Sequence, residues 1–190
     1  LNSVLLHAVR LPQNITELVA FRTSEPGRRF SEACRRAGIQ IEYQMHTAGW
    51  LVPRALFHKQ PELFRMDLAG QRTSDCNFCL SSQEAWKVFE ARAQELARVL
   101  PSETGRHLWF GDDVAEGSCH CPGCARWSPS DQAMLYANRL VQALRRLDAK
   151  ATVSYLAYHA TLSPPEEVLP EEGVFLEFAP IGRCYRHALE

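Results

Sequence analysis

What the chain has little of narrows the field first. It carries no surplus of either charge: 21 Lys and Arg stand against 22 Asp and Glu, for a net charge of −1. A main partner that is nucleic acid or an anionic membrane surface calls for a basic excess, so neither is expected. No apolar run approaches the roughly 20 residues that span a bilayer, so membrane insertion is not expected either. The glycine-rich turn that cradles a dinucleotide does not follow the first apolar run, Asn2-Ser-Val-Leu-Leu-His-Ala-Val9, and a Rossmann reading has no support. Nor does a basic and then apolar leader precede Leu1, so the chain reads as a processed or partial piece of a longer protein.

What is there is an ordinary globular composition, 46% hydrophobic and 23% charged over 190 residues, enough for one core and one domain over 1–190. The run 2–9 reads as a buried strand, broken by Pro12 and Asn14. Asn14-Ile-Thr16 is a glycosylation sequon that carries weight only in a secreted eukaryotic chain. Phe30, Cys34 and Ala37 follow helical spacing after Pro26-Gly27, and Gly38 supplies the stop. Ile39-Gln-Ile-Glu-Tyr-Gln-Met-His46 alternates strictly, which predicts a second strand. Its polar set, Gln40, Glu42, Gln44 and His46, shares one face, as residues lining a site would.

A long connection, 47–80, precedes a helix opened in capping-box style by Ser81-Ser82-Gln83-Glu84, with Trp86, Phe89, Ala93, Leu96 and Val99 as its apolar stripe. His107-Leu-Trp-Phe-Gly-Asp-Asp113 is a third strand that runs into two adjacent carboxylates. Ser128-Pro-Ser-Asp131 opens a helix buried through Met134, Leu135, Asn138, Val141, Leu144 and Leu147. Thr152–Tyr158 and Gly173–Ala179 complete five strands. Alternation of this kind predicts an α/β fold with a parallel sheet and right-handed crossovers. A full (β/α) barrel of TIM type takes about 250 residues, so a partial barrel is expected, with the remaining barrel segments of the parent protein as partners.

Two sets of residues carry chemistry. The first is acidic. Asp112 and Asp113 end a strand, and alternation lets at most one of them face a barrel mouth. Glu177 stands between large apolar residues in Phe175-Leu-Glu-Phe178, where a carboxylate costs several kcal/mol unless it is paired or used. Together they could supply the carboxylate pair of glycoside hydrolysis, about 5 to 9.5 Å apart. His46, Tyr158, His159 and Arg183 also fall at strand ends, as substrate-binding residues of a carbohydrate site would.

The second set is sulfur. Of seven cysteines, Cys34 and Cys184 read as buried small hydrophobes. Cys119-His-Cys-Pro-Gly-Cys124 offers three thiolates at metal-ligand spacing, and Cys79, or else Cys76 or His120, offers the fourth that tetrahedral zinc needs. Disulfides are the rival if the protein is exported. The compartment, exported or periplasmic against cytoplasmic, turns on that choice. In both cases loops 71–80 and 113–127 are pinned together. Three thiolates make zinc a poor Lewis acid, so such a metal is structural. A thioredoxin role for Cys76-Asn-Phe-Cys79 is disfavoured, because the pair falls inside a long loop.

Several of these motifs resemble, in order and spacing, the DUF4838 family, a bacterial family of uncharacterised proteins. They are Cys119-His-Cys-Pro-Gly-Cys124, the helix with Asn138, the strand Ser154-Tyr-Leu-Ala-Tyr158, Pro164-Pro165, and Phe178-Ala-Pro-Ile181 through His187. His46, Pro53, Pro61-Glu62 and Cys79-Leu-Ser-Ser82 also fit, so the resemblance covers about residues 36–190. It implies a glycoside-hydrolase-like barrel, similar at fold level to α-glucuronidases and β-hexosaminidases, and a carbohydrate ligand. The expectation is a glycoside hydrolase-like protein acting on a polysaccharide or glycan. The alternatives are a non-catalytic carbohydrate-binding module and, behind it, a zinc-dependent interaction module.

Overall fold

A computed structural model describes residues 2–8, 11–111 and 117–187. Five parallel strands lie side by side in chain order: β1 (Ser3–Ala8), β2 (Gln40–His46), β3 (Arg106–Phe110), β4 (Thr152–Ala157) and β5 (Val174–Phe178). Helices α1 (Leu11–Thr23) and α2 (Glu25–Arg36) link β1 to β2. The short α3 (Ala48–Leu51) and the long α4 (Gln83–Val99) lie between β2 and β3, and α5 (Pro129–Arg145) joins β3 to β4. The fold is α/β with an all-parallel sheet.

The helix ends follow from local chemistry. Ser24 caps α2 by accepting from Gly27 N, and Gly38, at φ +68°, turns the chain out of it. The Ser82 hydroxyl accepts from Ala85 N at 3.3 Å to start α4. Ser128 and Asp131 form a reciprocal capping box at α5. Helix α1 differs from expectation. Pro12 and Asn14 do not break the chain there, because proline is tolerated in a first helical turn, and Ile15, Leu18 and Val19 give an apolar stripe at helical spacing. The Asn14 sequon therefore lies in a helix rather than in a surface loop. Leu147, expected in the buried face of α5, lies past that helix's last residue and is exposed.

Alternate strand residues face opposite sides of the sheet. Ile41, Tyr43, Met45, Trp109 and Val153 share one core with Phe89 and Leu96 of α4 and Leu140 and Leu144 of α5. The helices thus cover one face, and each fully buried large side chain there contributes roughly 1.5–3 kcal/mol. The opposite face carries the polar set. Register places His7 opposite Gln44, Gln44 opposite Leu108, His46 opposite Phe110, and Leu156 opposite Glu177.

This polar face is concave. In a flat sheet, β2 and β5 would lie about 14 Å apart, three steps of about 4.8 Å. Yet the Gln44 side-chain amide donates to Glu177 Oε1, and the Arg106 guanidinium of β3 packs over the Phe175 ring of β5 at 4.9 Å. The sheet must curl for these groups to meet. Among the described residues, β1 and β5 each pair on one side only.

Candidate functional site

In the connection between β2 and α4 the chain turns through two short 3₁₀ segments and two isolated bridges, Phe64 to Phe78 and Met66 to Arg72. Arg65, buried, holds this loop through paired bonds to Asp75: Nε to Oδ1 at 2.8 Å and Nη2 to Oδ2 at 2.5 Å. The Arg65 bonds, with support from Thr73 and Cys76, keep the Asp75 carboxyl well below the usual carboxylate range. The loop so fixed delivers Cys79 to the segment that follows Gly117.

There four buried cysteines meet. The sulfurs of Cys79, Cys119, Cys121 and Cys124 all lie within 4.8 Å of one another, and those of Cys79 and Cys121 are 3.6 Å apart. A tetrahedral site with metal–sulfur distances near 2.3 Å has sulfur–sulfur edges of about 3.8 Å, so the cluster fits such an ion. All seven cysteines are free, so the disulfide alternative is not what this structure contains. The cluster could hold a metal ion. Its ligand set is the first-choice set of the sequence reading; Cys76 and His120 stay outside it.

The surroundings suit thiolates. Met66 N donates to Cys119 Sγ at 3.3 Å, and the Ser81 hydroxyl lies 3.2 Å from Cys79 Sγ and 3.4 Å from Cys121 Sγ. Arg72 adds a positive charge beside Cys79. The buried Gln132 amide accepts from Cys119 N at 2.9 Å and donates to Cys119 O at 3.0 Å, with Trp127 O at 3.3 Å, so α5 templates the turn. Gly123 passes so close to Ser81 that a Cβ there would meet its side chain at 2.7 Å. Hydrogen bonds from Cys119 and Cys124 draw the Cys79 thiol down, while Cys119 and Cys79 drive Cys124 up: four thiols this close do not all ionise without a cation. Cys76, by contrast, donates to Asp75 and is pushed up to about 11 by burial.

Asn77, within the same cysteine loop, donates to Gly117 O at 3.0 Å and packs against Gly111. It thus ties together the two residues that flank 112–116 in sequence. Asp112 and Asp113 lie outside the described residues. Asn77, Phe110, Gly111, Ser118, Tyr136 and Thr161 line a cleft there, at the C-terminal ends of β3 and β4.

Glu177 is on the concave face, partly buried. Its Oε1 accepts from Gln44, and its Oε2 is buried with no hydrogen-bond partner. Burial raises its pKa above the ordinary carboxyl value, against Ser154, Gln44, Arg106 and His46, which all favour the charged form. His46 shares that face, with Nδ1 3.0 Å from Gly111 O and its ring edge-on to Phe110. Tyr158 follows β4 in extended backbone, and its ring stands edge-on to His159, which adopts a left-handed φ of 46°. Arg183 sits in the turn after β5 with its guanidinium over the Tyr185 ring. Cys184 is exposed rather than buried, because nothing among the described residues packs over that turn, and its sulfur lies 3.2 Å from His187 Nδ1.

The structure adds two inner-face residues that the sequence left unassigned, His7 and Ser154, and gives Gln44, already placed on a site-lining face, Glu177 as its partner. The signal for Ser154 was its place between Val153 and Tyr155 in an apolar strand, the same kind of anomaly that singled out Glu177. Thr104 and Arg106 hold the buried Glu42 carboxylate at the opposite end of the sheet, at 2.9 and 3.5 Å, a structural role.

The match to protein families agrees with this arrangement of motifs. A family model described as Domain of unknown function (DUF4838) matches residues 15–190, and the chain belongs to that family. No curated protein matches it. No helix among the described residues is long and apolar enough to cross a membrane.

Proposed function

We propose, with membership of the DUF4838 family as the premise, that this chain is a segment of a (β/α) barrel of glycoside hydrolase type that acts on a polysaccharide or glycan. One observation carries the reading: a carboxyl group with a raised pKa and a buried, unpartnered oxygen stands on the concave face of a curled parallel sheet, near its C-terminal edge. That edge is where (β/α) barrels keep their reacting groups. A carboxyl whose pKa is raised by burial keeps its proton to higher pH than an ordinary one, and in that form it can protonate a leaving glycosidic oxygen. Glu177 takes that role. Asp112 or Asp113, carried by the segment after β3, supplies the second carboxylate.

His46, Tyr158, His159 and Arg183 bind the sugar in this reading, with His7 of β1 near His46. Aromatic faces and polar tips together suit pyranose rings, which present C–H patches and hydroxyls. The cysteine cluster holds zinc in a structural role. Four thiolates leave the ion no open position, so what it supplies is a pinned loop, not Lewis acidity. Its contribution to the reaction is to hold the loop that carries Asn77 against the loop that carries Gly117.

The test is a panel of aryl glycosides and oligosaccharides offered to the full chain, with Glu177→Gln alongside. The expected result is turnover of at least one substrate that falls by about 10² to 10⁴ in the variant, the range for loss of a general acid. Turnover unchanged by Glu177→Gln overturns the assignment. Saturable glycan binding with no turnover in the parent chain favours a carbohydrate-binding module on the same face.

A further inference from the structure

The contact between Gln44 and Glu177 joins residues 133 positions apart, on strands with two others between them. Such a contact is not needed to cover either side chain. It reaches across the concave face, where an uncommitted glutamine would sooner turn to water. We infer that Gln44 is a positioning residue for Glu177: its amide fixes Oε1 and leaves the buried Oε2 as the oxygen that carries the acid's proton. The inference rests on the role given to Glu177 above and extends it to the residues that set the acid's orientation.

The donor and acceptor inventory supports this. A side-chain amide N–H can only donate, so the oxygen facing it accepts, and an oxygen already engaged in that way is the poorer place for a proton. The other carboxyl oxygen has no such partner. Glu177 Oε2 and Ser154 Oγ are both buried with no hydrogen-bond partner, and Ser154 favours the ionised form of this carboxyl. A hydroxyl there can accept from the neutral acid and donate to the carboxylate, so it serves both halves of a proton transfer. Buried polar atoms left without partners are rare, and they concentrate where function needs them.

The charged groups around the carboxyl come from several strands. His46 of β2 and Arg106 of β3 act on it directly and favour its ionised form. His7 of β1 acts on His46, and Glu42 of β2 is bound to Arg106. Gln44 differs from all of these in being uncharged. Replacing it changes a hydrogen bond and leaves the local charge as it was.

The experiment is a titration of the Glu177 side-chain carboxyl by carbon-13 NMR in the full chain, compared with Gln44→Met, which has nearly the same length and no donor. Expected is an upward shift of about one pH unit in Gln44→Met, because a hydrogen bond that favours the charged form is gone. Ser154→Ala is expected to move the same resonance upward by a step at least as large, and it keeps the question answerable if Gln44→Met does not fold. An unchanged Glu177 titration in a folded Gln44→Met, or in Ser154→Ala should that be the only folded variant, overturns the inference. No substrate enters the measurement. A failed titration with Glu177-dependent turnover intact therefore removes this inference alone, and absent turnover with the shift present removes the hydrolase reading alone.

Discussion

Removing the Asp131 carboxylate is the sharpest structural test of how the C-terminal half is held. Asp131 is 1% exposed and accepts five hydrogen bonds. Three reach Oδ1, from the backbone N–H groups of Glu166, Glu167 and Val168 at 2.8–3.0 Å, and two reach Oδ2, from Ser128 N and Oγ. One carboxylate therefore completes the capping box of α5 and anchors the loop after Pro164-Pro165 that leads into β5. These bonds, opposed by burial, hold its pKa down at about 2. In Asp131→Ala the loop residues, being largely exposed, can recruit water in place of the carboxylate. The loss is then nearer 1 than 3 kcal/mol for each of the three donors. With about 1 kcal/mol for the lost half of the capping box, the bond from Ser128 N, the total is about 4 kcal/mol.

At a urea slope of about 2 kcal/mol per molar, that moves the midpoint down by about 2 M, read by circular dichroism at pH 7. In the parent chain the Asp131 contribution is complete above pH 3.8, its unfolded value, and is lost as pH falls toward 2. The sign follows from a carboxyl whose folded value is depressed. A folded Asp131→Ala within about 0.5 kcal/mol of the parent would refute the reasoning, since that is the size of an ordinary surface substitution.

Two further outcomes follow from buried titratable groups. His107 is 6% exposed, and burial lowers its pKa to about 4 despite the Asp148 charge nearby. The unfolded chain therefore takes up its proton first, and stability falls by about 3 kcal/mol as pH drops from 6.5 to 4. In His107→Phe, which keeps a ring against Trp109, urea midpoints are expected to lose that pH dependence. Cys124→Ser takes one thiolate out of the cluster. It is expected to lower zinc affinity by at least 10-fold in a chelator competition and to lower the melting temperature of the metal-loaded chain.

Much of the fold was legible because the local signals agreed with the tertiary answer. The strict alternation of 39–46 told which residues of β2 would share a face, and the curl of the sheet gave that face its meaning. Ser128-Pro-Ser-Asp131 announced a helix start, although the second use of Asp131, as an anchor for 166–168, depends on a loop 35 residues downstream. Helix α1 was hidden by Pro12 and Asn14, whose breaking power is weakest in a first turn. The cysteine spacing pointed to a tetrahedral site, and the contacts that bring Cys79 rather than Cys76 there, Arg65 with Asp75 and Cys79 N with Leu63 O, are tertiary. Cys184 was misjudged because cysteine is buried in most folds, whereas in the turn after β5 it is exposed among the described residues. Gln44 and Glu177 each stood out in the sequence, but their bond did not, because it depends on the curl of the sheet.

The central claim about the site is that four cysteines clamp the loops beside a carboxylate-bearing face. Elemental analysis of the purified full chain, with a count of reactive thiols under native conditions, tests it most directly. The account predicts one zinc per chain, Cys79, Cys119, Cys121 and Cys124 protected from alkylation, and their release to reagent when the metal is chelated. A metal-free folded chain in which those four thiols react freely, or are joined in disulfides, would contradict it.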